Sequence, residues 1–201
     1  MAQAAATLRQ ATFKRTGWLV DVGVIVCGAL VTAAAAQFTV HLPFTPVPIT
    51  GQTFAVLLVG AALGPWHGAS SEMLYVLMGA LGAPFYANHS HGWAILQLGS
   101  AAGATGGYLL SYPVAAWATG TLAKRGWDKK IGSSIGAMLT GNVIIYVIGL
   151  PWLAASLHTG LNKTLTLGLY PFIPGDTFKL YLAAAALPGA WKLVDRARRD
   201  D

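Results

Sequence analysis

The distribution of charge is the feature that most limits what this chain can fold into. Between Asp21 and Lys124, Glu72 is the only aspartate, glutamate, lysine or arginine. A soluble domain carries about 25% charged residues, whereas this 201-residue chain has 10% charged and 55% hydrophobic residues. The chain lacks the polar surface that a water-soluble domain of its size would need, so we interpret it as a membrane protein.

Apolar segments of the length of a membrane-spanning helix, about 20 residues, use nearly the whole chain. We predict an all-α fold, a polytopic bundle of six transmembrane helices within residues 18–194, with cytoplasmic segments at 1–17 and 195–201. No room remains for a separate soluble catalytic domain. We also expect a short interfacial helix near residues 93–98. The predicted spans are residues 18–37, 52–63, 68–81, 105–122, 131–150 (ended by a proline) and 175–191.

Eleven of the 13 lysines and arginines occur in three clusters, one before the first span, one between the fourth and fifth spans, and one after the last; Lys163 falls in an outward loop and Lys179 just inside the last helix. In a six-span chain all three fall on the same side, as the positive-inside rule requires for the cytoplasm. We therefore predict a multi-pass protein of the inner (plasma) membrane with both termini cytoplasmic, and no nucleic-acid partner despite the net charge of +6. The clusters are Arg9, Lys14 and Arg15; Lys124, Arg125, Lys129 and Lys130; and Lys192, Arg196, Arg198 and Arg199.

The first span also has a rival interpretation as a secretory signal peptide. The basic pair Lys14-Arg15 precedes an apolar stretch from Val22, and small residues at 33–36 resemble a cleavage site. We favour a membrane span, because the loop charges need this first crossing to fall on one side.

Asp176 and Lys179 stand one helical turn apart at the start of the last apolar span. A charged side chain at the centre of a bilayer helix costs roughly 2.5–3.5 kcal/mol, so such residues are rare and usually functional. Residues three apart share a helix face, and both side chains can reach the same ligand. Alternatively, Asp176 could be an acid that stabilises the N-terminus of its helix, and Lys179 could extend its ammonium to the outer lipid headgroups. A lysine in the first turn opposes the helix dipole, however, so helix stability does not explain it. The pair predicts a polar ligand held inside a membrane protein.

Other polar groups fall on the same, outward side of the predicted bundle. Gln52 opens the second span, and Thr105 with Gly107 opens the fourth with accessible backbone N–H groups. Asn142 and Tyr146 lie four apart on one face of the fifth span. Each has a structural alternative, as a helix cap or an interhelical hydrogen bond, but as a set they favour a pocket.

The remaining signals are weaker. His89 and His91 could ligate a metal, but no carboxylate or cysteine lies near them in sequence, and we predict no metal. Glu72 could cap a helix, pair with a loop lysine or contact a partner, and its role stays open. The glycines at 103–107 match no dinucleotide-binding or P-loop pattern, and no Walker lysine follows them. The chain is not predicted to hydrolyse ATP, and no cofactor is expected.

Four motifs in order make the chain resemble the BioY family, the biotin-binding S components of energy-coupling factor (ECF) transporters. The resemblance extends from about residue 29 to residue 187. The motifs are PVPITGQT at 46–53, ATGGYL at 104–109, YVIGLPW at 146–152 and PGD-xx-K at 174–179.

This resemblance implies a six-helix bundle that holds biotin on its outer side under the loop after the first span. It implies Asp176 and Lys179 as ligand residues, with Gln52 and Tyr108 in the pocket. Small residues on the first helix, here Ala29 and Ala33, would face a partner. The partners it implies are a transmembrane coupling subunit and two cytoplasmic ATPase subunits.

Biotin suits the chemistry of these residues. Its fused rings fit an apolar, aromatic slot, its ureido group needs polar partners, and its valerate tail carries a carboxylate. Our hypothesis is that Lys179 meets the carboxylate while Asp176 fixes Lys179 or accepts a ureido N–H, although the reversed ligand fits the sequence equally well.

Three other functions remain as alternatives. The chain could be an S component for another vitamin, an intramembrane enzyme using Asp176 or a histidine, or a structural subunit in which the pair is a packing device. An enzyme is disfavoured, because no further acid, serine or histidine falls in register with the pair. Whether the protein acts alone, as a homo-oligomer or only with partners is not determined by the sequence.

Overall fold

The computed structural model describes residues 7–12 and 17–200, with side chains described up to residue 196. Lys14 and Arg15 lie outside these residues, as do the side chains of Arg198 and Arg199. The described helices are α1 Leu8–Thr12, α2 Trp18–Ala36, α3 Gln52–Leu63, α4 Pro65–Ala80, α5 Gly106–Ala123, α6 Ile131–Leu157, α7 Leu161–Gly168 and α8 Ile173–Asp200.

The six longer helices form a bundle around α5. Helix α5 packs against α3, α4 and α6, while α2 packs against α4 and α3, and α8 against α6 and α3. The connections at residues 37–51, 81–105 and 158–172 meet at one end, where Gln37 donates to the Tyr86 carbonyl and Thr45 to the Leu167 carbonyl, so successive long helices alternate in direction. The basic connection at 124–130 lies at the other end with α1 and the C-terminal part of α8.

The surface of the bundle is apolar over much of its area, as expected for a protein in contact with lipid. By length and composition, α2 and α6 are each able to cross a membrane within the described residues, and α3 is apolar but shorter. Large side chains exposed on several helices include Trp18, Leu30, Leu77, Trp117, Val147 and Phe178. The structure therefore agrees with a membrane protein.

Small residues let the central helices approach closely. A Cβ added to Gly68 of α4 would lie 2.7 Å from the Gly60 Cα of α3, and one added to Gly120 of α5 would lie 2.5 Å from the Gly64 carbonyl carbon. Helices in lipid associate through such close packing. Gly64 joins α3 to α4 with φ of 84°, a left-handed conformation that favours glycine.

Several predicted boundaries differ from the structure. Pro151 was predicted to end the fifth span, but α6 continues through it to Leu157, because neighbouring helices can satisfy the backbone groups that a proline frees in a membrane helix. The loop predicted after it contains α7. Helix α4 starts at Pro65, where the missing N–H is not needed for a helical bond. Helix α8 starts at Ile173 and passes Pro188.

Short elements shape the connections at the end where 37–51 and 81–105 meet. Strands β1 (Thr39–Val40) and β2 (Ile49–Thr50) pair antiparallel, with Thr39 opposite Thr50, a small addition to the predicted all-α fold. Single 3₁₀ turns cover Ala87–His89 and Trp93–Leu96, the second within the predicted interfacial helix.

Ala29 and Ala33 do not face outward, which corrects their predicted role as a partner surface. Ala29 is 1% and Ala33 8% exposed, because the small-residue face of α2 packs inward against α3 and α4. The same contact buries Glu72 of α4, whose Oε1 accepts a hydrogen bond of 2.9 Å from the Thr32 hydroxyl of α2. Glu72 thus joins two helices, and among residues 7–12 and 17–196 it forms no ion pair with a loop lysine.

The basic end of the bundle is held by its own polar contacts. The Trp191 indole of α8 donates a hydrogen bond of 2.6 Å to Oδ2 of Asp128, in the α5–α6 connection. Lys129 Nζ lies 4.6 Å from the centre of the Trp191 ring. Arg9 of α1 pairs with Asp21 of α2. These contacts fasten α1, α2 and α8 at this end.

Candidate ligand-binding site

A cavity of about 400 Å³ lies at the end of the bundle where the connections at 37–51, 81–105 and 158–172 meet. Its volume falls in the range of sites for small organic ligands. Its walls come from α3, α5, α6 and α8 and from the connections after α2, α4 and α7. The lining includes His41, Pro46, Val47, Pro48, Thr50, Gln52, Thr53, Tyr86, Asn88, Ile95, Thr105, Tyr108, Tyr112, Ile145, Tyr146, Phe172, Asp176 and Lys179.

The pair predicted from the sequence forms an ion pair in the cavity wall. Lys179 Nζ lies 3.1 Å from Asp176 Oδ1 and donates a second hydrogen bond of 3.2 Å to the Thr53 hydroxyl of α3. Asp176 is 5% exposed. The spacing of three residues in α8 places both side chains on one helix face, and α3 supplies the hydroxyl that fixes the ammonium.

Helix α6 holds the second carboxylate oxygen of Asp176. The Tyr146 hydroxyl donates to Oδ2, and Asn142 Nδ2 donates to the same oxygen across 3.4 Å. Oδ2 therefore has two donors, whereas Oδ1 has one and retains an acceptor position. Lys179 uses two of its three N–H donors on protein groups. The pair can offer a ligand one acceptor and one donor side by side.

Gln52 lies in a second polar cluster, at the start of α3. Its Nε2 donates to the Tyr75 hydroxyl of α4, and its Oε1 accepts a hydrogen bond of 2.8 Å from Thr50 and one of 3.5 Å from Tyr112. The amide is 5% exposed. These bonds fix its orientation and leave one amide hydrogen for a ligand.

Aromatic rings supply much of the remaining wall. Tyr108 and Tyr146 meet edge to face with centroids 6.2 Å apart, and the Tyr108 hydroxyl donates a 3.0 Å hydrogen bond to the Gly168 carbonyl of α7. In the connection after α4, burial raises the pKa of Tyr86 to about 12; its hydroxyl stays neutral and donates to the Val76 carbonyl at 2.6 Å. The site therefore combines flat apolar surfaces with a few oriented polar groups.

The loop between β1 and β2 covers part of the cavity. The Thr45 hydroxyl of this loop donates a hydrogen bond of 2.6 Å to the Leu167 carbonyl of α7. At its start, His41 Nε2 lies 2.9 Å from Asn88 Nδ2 in the connection after α4. Three connections are thereby joined across the same opening.

Most residues predicted for the site are brought together, but two take other places. Gln52, Thr105, Tyr108, Tyr146, Asp176 and Lys179 all line the cavity. Asn142 lies behind Asp176, which it positions. Gly107 is outside the lining; a Cβ there would come within 2.5 Å of Trp152 Cγ, so this glycine serves the close packing of α5 against α6.

The sequence interpretation missed several lining residues. Tyr112 could have been found, because it follows Tyr108 by four residues and therefore shares its helix face. Phe172, His41 and Asn88 lie in connections whose meeting depends on the tertiary fold. His89 and His91 are exposed, and no cluster of three potential metal ligands is found in residues 7–12 and 17–196.

Comparison with known proteins places the chain in a family. The model of the BioY family matches residues 6–196. The chain belongs to the BioY family. A probable biotin transporter BioY from Pyrococcus horikoshii is 37% identical over 159 residues, covering 79% of this chain and 88% of the relative. A biotin transporter BioY from Rhizobium etli is 32% identical over 163 residues, covering 78% and 84%.

A solved structure shares the fold of this BioY-family chain. The crystal structure of the S-component for biotin from an ECF-type ABC transporter superposes with a TM-score of 0.70 at 23% sequence identity. The superposition covers 89% of this chain and 95% of the solved one. The bundle and its connections are therefore an architecture already known from a membrane transport component.

Proposed function

We propose that this protein binds biotin and mediates its uptake across the membrane as the substrate-binding S component of an ECF-type transporter. The observation that carries the proposal is the cavity with the Asp176–Lys179 pair in its wall, in a chain of the BioY family. Biotin offers fused rings for the aromatic surfaces and two polar ends for oriented hydrogen bonds.

The geometry of the pair favours the ureido end of biotin as its partner. Asp176 and Lys179 neutralise each other and present one acceptor beside one donor. A ureido group presents an N–H donor beside a C=O acceptor and complements both. A ligand carboxylate has only acceptors and would lie against the Asp176 carboxylate, which repels it. We therefore favour the reversed orientation of the two that the sequence left open.

The alternating helices and the charge distribution support the proposed topology. The six longer helices would each cross an inner (plasma) membrane, with the basic end in the cytoplasm and the cavity open to the outer side. A cysteine placed at position 163, in α7, should react with an impermeant thiol reagent added to intact cells, whereas one at position 125 should react only after permeabilisation. The reverse pattern would contradict the topology.

The proposed partners are a transmembrane coupling subunit and two ATPase subunits, which would supply the energy. Co-expression with such subunits should give a complex that co-purifies and takes up biotin in an ATP-dependent way. Equal uptake without them would show that the chain transports alone.

Equilibrium binding of labelled biotin to the detergent-purified protein tests the proposal. We expect saturable binding at one site, displaced by unlabelled biotin and not by an equal concentration of riboflavin or thiamine. A folded protein without saturable biotin binding would reject biotin as the ligand. Displacement by another vitamin would identify a different cargo for the same fold.

A further inference from the structure

A basic side chain, His41, lies at the mouth of the cavity and takes no part in the Asp176–Lys179 ion pair. Among the lining side chains, His41, Asp176 and Lys179 are the acidic or basic ones besides the tyrosines. Asp176 and Lys179 are committed to each other at 3.1 Å. Since biotin carries a single carboxylate, its tail would need a hydrogen-bond donor elsewhere in the cavity.

His41 and Asn88 come together at the exposed opening of the cavity. Both residues are exposed, in contrast to Asp176 at 5%, so the two polar groups lie at different depths. His41 follows β1 and Asn88 lies in the connection after α4, with 2.9 Å between their side-chain nitrogens. The imidazole and the amide can each turn an N–H toward an incoming anion.

The backbone at Asn88 indicates a specialised position. Asn88 has φ of 56° and the next residue, His89, φ of 58°, a left-handed conformation that is uncommon outside glycine and that asparagine tolerates better than most residues. Gln37 holds this segment in place, because its Oε1 accepts a 3.0 Å hydrogen bond from the His89 backbone N–H. Backbone strain of this kind is concentrated at ligand-binding and catalytic sites.

We infer that His41 and Asn88 form the subsite for the carboxylate of the ligand's acid tail, while the Asp176–Lys179 pair holds the opposite end. This inference rests on the proposed function. The carboxylate accepts one N–H from the imidazole and one from the amide, so the ligand replaces the hydrogen bond between them. It also links the connections after α2 and α4, which closes the opening over the bound molecule.

The test compares biotin with its primary amide, which differs only in lacking the tail charge. Both ligands are titrated into wild type, His41→Ala and His41→Gln. A charge-assisted hydrogen bond is stronger than a neutral one, so we expect His41→Ala to weaken biotin about tenfold and the amide less than about threefold. His41→Gln keeps a donor and should recover part of the loss for biotin.

His91→Ala is the matched control, because this histidine is also exposed near the opening but does not line the cavity. It should change neither affinity. Equal losses for both ligands in His41→Ala, or no loss for either, would overturn the inference. A loss confined to biotin in Lys179→Met would mean that the ligand lies reversed, which also overturns it.

The two proposals fail in distinguishable ways. If wild type binds neither biotin nor the amide, the proposed function is rejected. If wild type binds biotin and His41→Ala keeps the wild-type ratio of the two affinities, the proposed function stands and only the tail subsite is rejected.

Discussion

Two buried aspartates hold α8 near its opposite ends, and only one of them faces a cavity. Asp176, in the first turn of α8, accepts hydrogen bonds from α6 and pairs with Lys179 in the cavity wall. Asp128, in the basic α5–α6 connection, accepts the Trp191 indole N–H at 2.6 Å and is outside the cavity lining. Both carboxylates join helices, yet their surroundings predict different roles.

The difference teaches that burial and hydrogen bonding alone do not mark a binding residue. Asp128 is 0% exposed, more deeply buried than Asp176, but it lies outside the lining of the cavity. Asp176 retains an acceptor position beside a lysine N–H, and both groups reach an open volume. We therefore expect changes at Asp176 to affect ligand affinity and changes at Asp128 to affect stability.

Alanine substitutions of the two aspartates are expected to give the largest difference in biotin affinity between the two sites. Asp176→Ala removes the partner of a buried ammonium together with a ligand acceptor, and losing one member of such a pair costs about 2–5 kcal/mol. Biotin affinity should fall by about 30-fold or more. Asp128→Ala should keep the affinity within about twofold but lower the thermal unfolding midpoint, because the Trp191 N–H then lacks its partner. The comparison fails if both variants lose affinity equally.

A smaller effect on biotin affinity is expected from substituting Tyr146, which positions Asp176. Tyr146→Phe keeps the aromatic wall but removes the hydroxyl that donates to Oδ2. A lost hydrogen bond to a charged group is worth about 1.5–3 kcal/mol, so biotin affinity should fall about tenfold. Tyr170→Phe, an exposed tyrosine outside the cavity lining, is the control and should bind as wild type does. An unchanged affinity in Tyr146→Phe would show that α6 does not position the carboxylate.

The smallest effect is a pH dependence of stability at the basic end. Burial raises the pKa of the Asp128 carboxyl above its usual range, against an opposing effect of the Trp191 hydrogen bond. The folded state therefore favours the protonated acid, and its stabilising contribution is lost as the pH rises through the raised pKa. Asp128→Asn removes this contribution. The unfolding midpoint of wild type minus that of Asp128→Asn should therefore decrease from about pH 4 to about pH 7.

A difference that is the same at every pH would show that Asp128 does not titrate differently in the folded and unfolded chains. Biotin affinity measured on the same samples should stay within about twofold of wild type. A larger change would mean that the two ends of α8 are coupled.

Much of this comparison could be predicted from the sequence, because charge is rare in the apolar stretches. Asp176 and Lys179 stand out in an uncharged span, and their spacing fixes a common helix face. Asp128 gave no such signal, since it lies beside Lys129 and Lys130 in a polar connection. Its burial depends on Trp191, which is 63 residues away in the chain.

The errors have physical reasons as well. Pro151 was expected to end a helix, but a proline in a membrane helix can be accommodated by its neighbours. The spacing of Ala29 and Ala33 indicates close packing without specifying the neighbour, and in this fold the neighbours are α3 and α4. His41 and Phe172 line the cavity only because distant connections converge, which local sequence patterns do not encode.

The most direct test of the central claim is the biotin affinity of Lys179→Met beside Lys163→Met. Methionine keeps the length of lysine without its charge, and Lys163 is an exposed lysine of α7 at the same end of the bundle, outside the cavity lining. The account predicts a loss of about 30-fold or more in Lys179→Met and wild-type affinity in Lys163→Met. Wild-type affinity in a folded Lys179→Met would contradict it, because the pair would then serve only to pack α8 against its neighbours.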